Sequence, residues 1–172
     1  MDVQANIDGQ IESDLHVRPL GDDERPWLEE HLARSWGSCE IVNRGHVHDA
    51  ARLPALVCLA REHVLGVATF HIRDGQCELV TLNVLRKHRG VGSALLAAIA
   101  VEATRQGCHR VWLVATNDNL NALRFYQRRN MRLVAVHRGA VDDARSVKSS
   151  IPVVGDYGIP MHDELELELS LR

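Results

Sequence analysis

The sequence predicts an α+β (α/β) fold: a mixed, mostly antiparallel sheet of six to seven strands with helices on both faces. Three observations carry this prediction. The β-rich runs 55–60, 64–73 and 77–84 follow one another across the short polar turns REH and DGQ, as in an antiparallel meander. Helical segments then alternate with short apolar runs between residues 90 and 137. The last run, ELELELSL, alternates strictly and reads as a strand with one wet and one buried face. Such a sheet buries both faces only if helices cover both.

Taken in order, residues 1–13 are polar and read as a flexible lead. Residues 15–19 form a first short strand. Residues 22–36 form a helix, because Asp22, Asp23 and Glu24 suit its positive end, Pro26 is tolerated only near the start, and Gly37 stops it. Residues 37–53 follow neither period. From Gly90 the spacing of Val91, Ala94, Leu95, Ala98 and Ile99 fits the i, i+3, i+4, i+7, i+8 stripe of a buried helix that ends at Gly107. A short strand at 111–115, a helix at 119–129 and a strand at 132–137 follow. Residues 138–163, rich in Gly, Pro, Ser and Asp, read as one long loop before the last strand.

Length and composition bound the function. A chain of 172 residues, 45% hydrophobic, suits a single domain spanning 1–172. A net charge of −3 argues against a nucleic-acid partner, which needs a basic face. The longest apolar run, 94–101, is far too short to span a membrane, and the N-terminus carries no signal-peptide pattern. Cysteines at 39, 58, 77 and 108 form no CxxC pair and read as reduced thiols of a cytoplasmic protein. His46, His48 and Asp49 have chelating chemistry, but GHVHD reads better as a solvated loop, so no metal is expected.

The stretch RKHRGVGSALLAAIA, residues 86–100, carries the chemistry. It lacks the GxxxxGK[ST] of a P-loop, and Leu95 stands where the third glycine of a dinucleotide fingerprint would fall. What remains is a glycine turn at a helix start. There the first amides are unpaired and the macrodipole is positive, and Lys87, His88 and Arg89 add charge. These features suit an anion such as a pyrophosphate. They also suit tight helix–sheet packing with no ligand.

Lys87-His88-Arg89-Gly90-Val91-Gly92 resembles motif A, [RQ]xxGx[GA], of the GCN5-related N-acetyltransferase (GNAT) superfamily, with lysine at the first position as a departure. TNDNLNALRFYQRRNMRLV, residues 116–134, resembles the family's motif B, NxxAxxFYxxxGF, through Asn119, Ala122, Phe125 and Tyr126. Asn130 and Met131 replace its glycine and phenylalanine, and asparagine is the best substitute for glycine in a left-handed helix cap. The resemblance implies the GNAT fold, with a V-shaped splay in the sheet that holds acetyl-CoA (coenzyme A). It also implies direct acetyl transfer to a primary amine of a small molecule or peptide in a ternary complex.

It further implies a site. Main-chain groups of Arg89, Gly90, Val91, Gly92, Ser93 and Ala94 would hold the pyrophosphate. Leu82, Asn83 and Val84 would pair with the pantetheine arm as with an added strand. Asn119 and Ala122 would border the cofactor, although Asn119 also suits a plain helix N-cap. A main-chain N–H near Val84 would hold the thioester oxygen. Tyr126 occupies the family's general-acid position, with a core tyrosine as the alternative. Glu78, six residues before Val84, is the first choice for the base, because it stands where the histone acetyltransferase branch of the family carries its base, and alternation places it on one face with Val80, Leu82 and Val84; a solvated strand-end glutamate is its alternative. Trp27, Trp36, Asp142, Asp143, Asp156, Tyr157, Asp163 and Glu164 are acidic or aromatic groups that suit a cationic amine, or else a solvated loop. His137 and His162 read as structural. ELELELSL suits a homodimer edge or an internal hairpin equally. Competing functions are an acyl-CoA-binding module without turnover and an acyltransferase using a longer acyl-CoA.

Overall fold

The computed structural model describes residues 15–85 and 90–171. The flexible lead expected at 1–13 and the basic run Lys87-His88-Arg89 lie outside the described residues. Leu15–Pro19 forms β1, and a 3-10 turn at Asp22–Glu24 leads into α1 at Arg25–Trp36, with Pro26 in its first turn. Glu40–Asn43 and His46–Asp49 form β2 and β3. The meander is β4 at Ala55–Ala60, β5 at His63–Arg73 and β6 at Gln76–Val84. Then come α2 at Val91–Arg105, β7 at Arg110–Thr116, α3 at Leu120–Gln127, β8 at Arg132–His137, α4 at Ala140–Val147 and β9 at Glu164–Ser170.

Seven strands make one sheet in the order β1-β4-β5-β6-β7-β9-β8, with β2 and β3 as a separate hairpin. Every pairing in the large sheet is antiparallel except β6 with β7. The α1 face buries Leu28 and Leu32 completely, against Val57, Val67 and Val80. The α2 face buries Leu95 and Ile99 completely, against Cys58, Ala68, Val111 and Leu167. Each such leucine or isoleucine stabilises the fold by about 1.5–3 kcal/mol through burial. Four cysteines are free, and burial pushes the Cys77 thiol up to about 12, which makes it inert.

Four expectations need correction. Residues 37–53 contain the β2–β3 hairpin, and GHVHD lies in it rather than in a loop. The stretch 138–163 is not one loop, because it contains α4, whose Val141 and Ala144 are buried. ELELELSL has no wet face: Glu164 and Glu166 are 4% and 5% exposed. Alternation reports two chemically distinct faces but not which one meets water. Here β9 lies between β7 and β8, so both its edges are paired, and it offers no edge to a second copy. Finally, a β-bulge interrupts β6. Leu79 pairs with Phe70 and Thr81 with Thr69, so Val80 is an extra residue and the alternation changes parity there. Glu78 and Val80 stay on the α1 side, whereas Leu82 and Val84 turn to the α2 side.

Candidate active site

The parallel pairing of β6 with β7 is short. It covers Gln76–Arg110, Cys77–Val111 and Glu78–Trp112. Past that point β7 pairs with β9 through to Thr116, while β6 continues along β5 to Val84. The bulge at Val80 bends β6 just where the two strands part. A cavity of about 540 Å³ fills the opening. Leu79, Val80 and Leu82 of β6 face residues 113–116 of β7 across it, and Asn119, Ala122 and Tyr126 from the start and inner face of α3 border it. Its other end is walled by Trp36 from α1, Ile41, Val42 and Asn43 from β2, Val141, Ala144 and Lys148 from α4 and the residue after it, and Glu164.

A second cavity, of about 1230 Å³, opens at the N-terminus of α2. Gly90 caps this helix with φ 91°, a backbone that favours glycine. Ala94 N–H donates to the Gly90 carbonyl at 2.8 Å, so it is already spent, contrary to its expected place in the cradle. The amides of Val91, Gly92 and Ser93 have no acceptor within the helix. Gly90, Gly92 and Ser93 line this cavity, and Val84 at the end of β6 borders it. A Cβ on Gly92 would stand 2.9 Å from the Phe125 ring, so any side chain there makes the ring shift and close packing favours glycine. Arg128 and Arg129 also line the cavity. Arg129 donates to Ser93 Oγ at 2.8 Å and to the Phe125 carbonyl at 2.8 Å, and its guanidinium lies 3.6 Å from the Phe125 ring centre. Sequence reading passed over this arginine, although its place just after the FY pair was a usable signal. Phe125 is half-buried between α3 and the glycine turn.

The other expected residues divide cleanly. Leu82 lines the splay and Val84, 42% exposed, the second cavity. Asn83 turns to α1 and accepts the Trp36 indole N–H at 3.0 Å. Asn119 is the N-cap of α3, accepting from Ala122 N–H at 3.0 Å, and it lines the splay as well. Arg89 lies outside the described residues. Asn130 adopts φ 63°, the left-handed cap that glycine holds in the family pattern. Tyr126 is buried in the splay wall, and burial pushes its hydroxyl far above the ordinary tyrosine value. Such a phenol keeps its proton throughout the physiological range.

Glu78 departs from its expected role. Its carboxylate is buried, Oε1 accepts from Asn43 Nδ2 at 2.9 Å, and Oε2 lies 3.1 Å from His48 Nε2. Asn43, not Glu78, borders the cavity there. Because the bulge changes parity, Glu78 points beneath the β2–β3 hairpin rather than into the splay. Glu78 thus anchors the hairpin that supplies one wall. Glu166 is likewise structural, receiving Arg110 at 3.0 Å and His137 at 2.8 Å. Arg44 and Arg110 also stack at 5.3 and 5.6 Å from the Trp112 ring centre. Of the acidic and aromatic residues expected in or beside the 138–163 stretch, only Glu164 reaches the cavity. Trp36 lines it from α1, whereas Trp27 stacks on His31 at 5.5 Å. His162 bonds exposed Asp142 at 3.0 Å.

Asn117 and Asp118 were not singled out from the sequence, yet they brace the segment that enters β9. Asn117 Oδ1 accepts the main-chain N–H groups of His162 and Asp163 at 2.9 and 3.0 Å, and its amide donates to the Pro160 carbonyl at 2.9 Å. Asp118 accepts from Asp156 N–H at 2.8 Å. Among the described residues no group of three or more His, Cys, Asp or Glu is placed to hold a metal ion. No described helix is long and apolar enough to cross a membrane.

Comparison with known proteins agrees with this geometry. The model of the acetyltransferase (GNAT) family matches residues 14–131. The uncharacterized protein YdhI of Bacillus subtilis (strain 168) is 31% identical over 150 residues, covering 87% of this chain and 94% of that protein. Among solved structures, a Bacillus subtilis acetyltransferase in complex with CoA superposes with a TM-score of 0.67 at 16% identity, covering 92% of this chain and 99% of that one. A GNAT family acetyltransferase from Elizabethkingia anophelis with acetyl-CoA bound gives a TM-score of 0.66 at 13% identity, with coverage of 92% and 99%.

Proposed function

Because the chain belongs to the GNAT acetyltransferase family, we propose that it moves an acetyl group from acetyl-CoA to a primary amine by direct attack in a ternary complex. The observation that carries this reading is the splay itself. Two strands part beside a helix N-terminus whose first amides have no acceptor within the helix, and a protonated tyrosine lies in the wall between them. Acetyl-CoA supplies the activated thioester. The amides of Val91, Gly92 and Ser93, with Arg128 and Arg129 beside them, receive its diphosphate. The open edge of β6 from Leu82 to Val84 pairs with its pantetheine arm in the manner of an added strand. Asn119 and Ala122 border the arm from α3. A main-chain N–H on that same edge holds the thioester oxygen as charge develops there. Tyr126 protonates the departing sulfur, and burial keeps its phenol in the protonated form that can donate near neutrality. The reduced thiols fit a cytoplasmic protein.

A thiol-release assay tests this reading. Purified protein with acetyl-CoA and a panel of primary amines is expected to release free CoA with at least one amine, and to acetylate it at nitrogen by mass spectrometry. Binding of acetyl-CoA with no thiol released across the whole panel would leave a binding module instead.

A further inference from the structure

The wall of the splay opposite α3 carries a single acid. Among the described residues that line the cavity, Glu164 is the only carboxylate and Lys148 the only cation. The Lys148 ammonium is already committed, donating to the Trp36 carbonyl at 3.1 Å and the Glu40 carbonyl at 2.8 Å. The rest of that end of the lining is uncharged and mostly apolar, with Ile41, Val42, Val141, Ile151 and Met161 beside the amide of Asn43. Glu164 itself is 4% exposed. One of its oxygens, Oε2, accepts the Arg44 main-chain N–H at 2.9 Å, and Asn117 fixes the main chain on its N-terminal side. It is therefore a positioned, buried carboxylate in an apolar chamber that also contains Tyr126.

We propose that Glu164 binds and deprotonates the acceptor, and that the acceptor is a primary monoamine carried on an apolar body. This deepens the N-acetyltransferase reading above and rests on it. The chamber explains why a carboxylate suffices as base. In water an alkylammonium near pKa ~10 would not yield its proton to a carboxylate near ~4. Burial disfavours both charges, lowering the ammonium and raising the carboxyl, so the pair moves toward neutral amine and neutral acid. Glu164 shows this effect already: burial lifts it above the usual carboxylate range, with Glu78 adding to the rise. The Arg44 main-chain N–H, His137 and the Arg44 charge oppose it. Glu166 beside it on β9 is paired with Arg110 and His137, and Lys148 of the α4 end stands across the cavity.

The proton balance closes. The ammonium gives one proton to Glu164, and the freed nitrogen lone pair forms the new C–N bond at the thioester carbonyl. The C–S bond breaks as Tyr126 protonates the sulfur. The nitrogen's second proton returns to the Tyr126 phenolate, and Glu164 releases its proton to solvent. A second cationic centre on the acceptor would meet no partner in this chamber, which disfavours polyamines.

The test compares wild type, Glu164→Gln and Glu164→Ala with 2-phenylethylamine, spermidine and a lysine-bearing peptide as acceptors. Glutamine keeps the acceptor oxygen for Arg44 N–H. A neutral isostere also relieves the folded state, because a carboxyl raised on folding costs stability as pH climbs through the window above its ordinary value. An unfolding midpoint for Glu164→Gln at or above that of wild type is therefore the control. Wild type is expected to prefer 2-phenylethylamine, with kcat/KM rising through the Glu164 ionisation to a plateau. Glu164→Gln should lose about 100-fold or more at pH 7, as for loss of a general base. Its rate should then climb with pH until the free amine itself dominates. Formate should partly restore Glu164→Ala, and acetyl-CoA affinity should stay the same in all three. A wild-type pH profile in Glu164→Gln, or a preference for spermidine or the peptide, would overturn the proposal while leaving acetyl transfer intact. No turnover by wild type with any amine would instead remove the reading beneath it.

Discussion

Tyr126→Phe is expected to lower kcat by about 100-fold or more, within the range that a positioned general acid contributes. The ring packs edge-on against Phe125 at 5.0 Å between centroids, and phenylalanine keeps that contact, so folding and the cavity wall should survive. Because the hydroxyl acts on the leaving sulfur, its loss should fall on kcat and leave both KM values within about twofold. Burial holds the phenol protonated well beyond the ordinary tyrosine value, so wild type should show no alkaline loss of rate from Tyr126 up to pH ~10. Steady-state kinetics of the two proteins over that range checks both statements. An unchanged turnover number would leave Tyr126 a packing residue.

The second large effect is expected on binding. Gly92→Asp places a carboxylate at the second position of α2, where the anion would sit. An acidic residue in a first turn favours the helix, so the charge itself should not unfold it. The same charge occupies and repels the diphosphate site, and acetyl-CoA affinity should fall by about 100-fold, near 2.7 kcal/mol. The added Cβ also meets the Phe125 ring at 2.9 Å, so the ring must shift. Gly92→Ala separates the two causes, since it carries the same Cβ without charge and should lose much less. Titration calorimetry on both variants reads this directly. Equal losses would assign the glycine to packing alone.

Much of this architecture is legible in the sequence, and the failures have physical reasons. The order of the meander, α2, β7, α3 and β8 follows from hydrophobic period and from turn residues, because those segments are long and each buries a single stripe or face. The hairpin at β2–β3 is missed because its strands have four residues each and pack mainly through Ile41 and polar bonds, such as Asn43 to Glu78. The helix at Ala140–Val147 is missed because eight residues among Gly, Pro and Ser give a weak signal. Motif spacing placed the glycine turn at the start of α2, Asn119 at the N-cap of α3 and Tyr126 beside the splay, because these positions depend on local backbone geometry. Strand alternation set Glu78 on one face with Leu82 and Val84, whereas a one-residue bulge turns them to opposite sides, and it did not reveal that β9, with Glu164, sits inside the sheet. Neither feature leaves a local signature. The buried glutamates of β9 make the same point: their partners Arg44, Arg110 and His137 come from three distant parts of the chain.

The account rests on the splay between β6 and β7 being the seat of acetyl-CoA. A crystal structure of the protein with CoA tests it most directly. The diphosphate should lie on the amides of Val91, Gly92 and Ser93, the pantetheine arm along Leu82–Val84, and the sulfur within hydrogen-bonding reach of the Tyr126 hydroxyl. A diphosphate bound elsewhere, or an arm that leaves the splay closed, would contradict it.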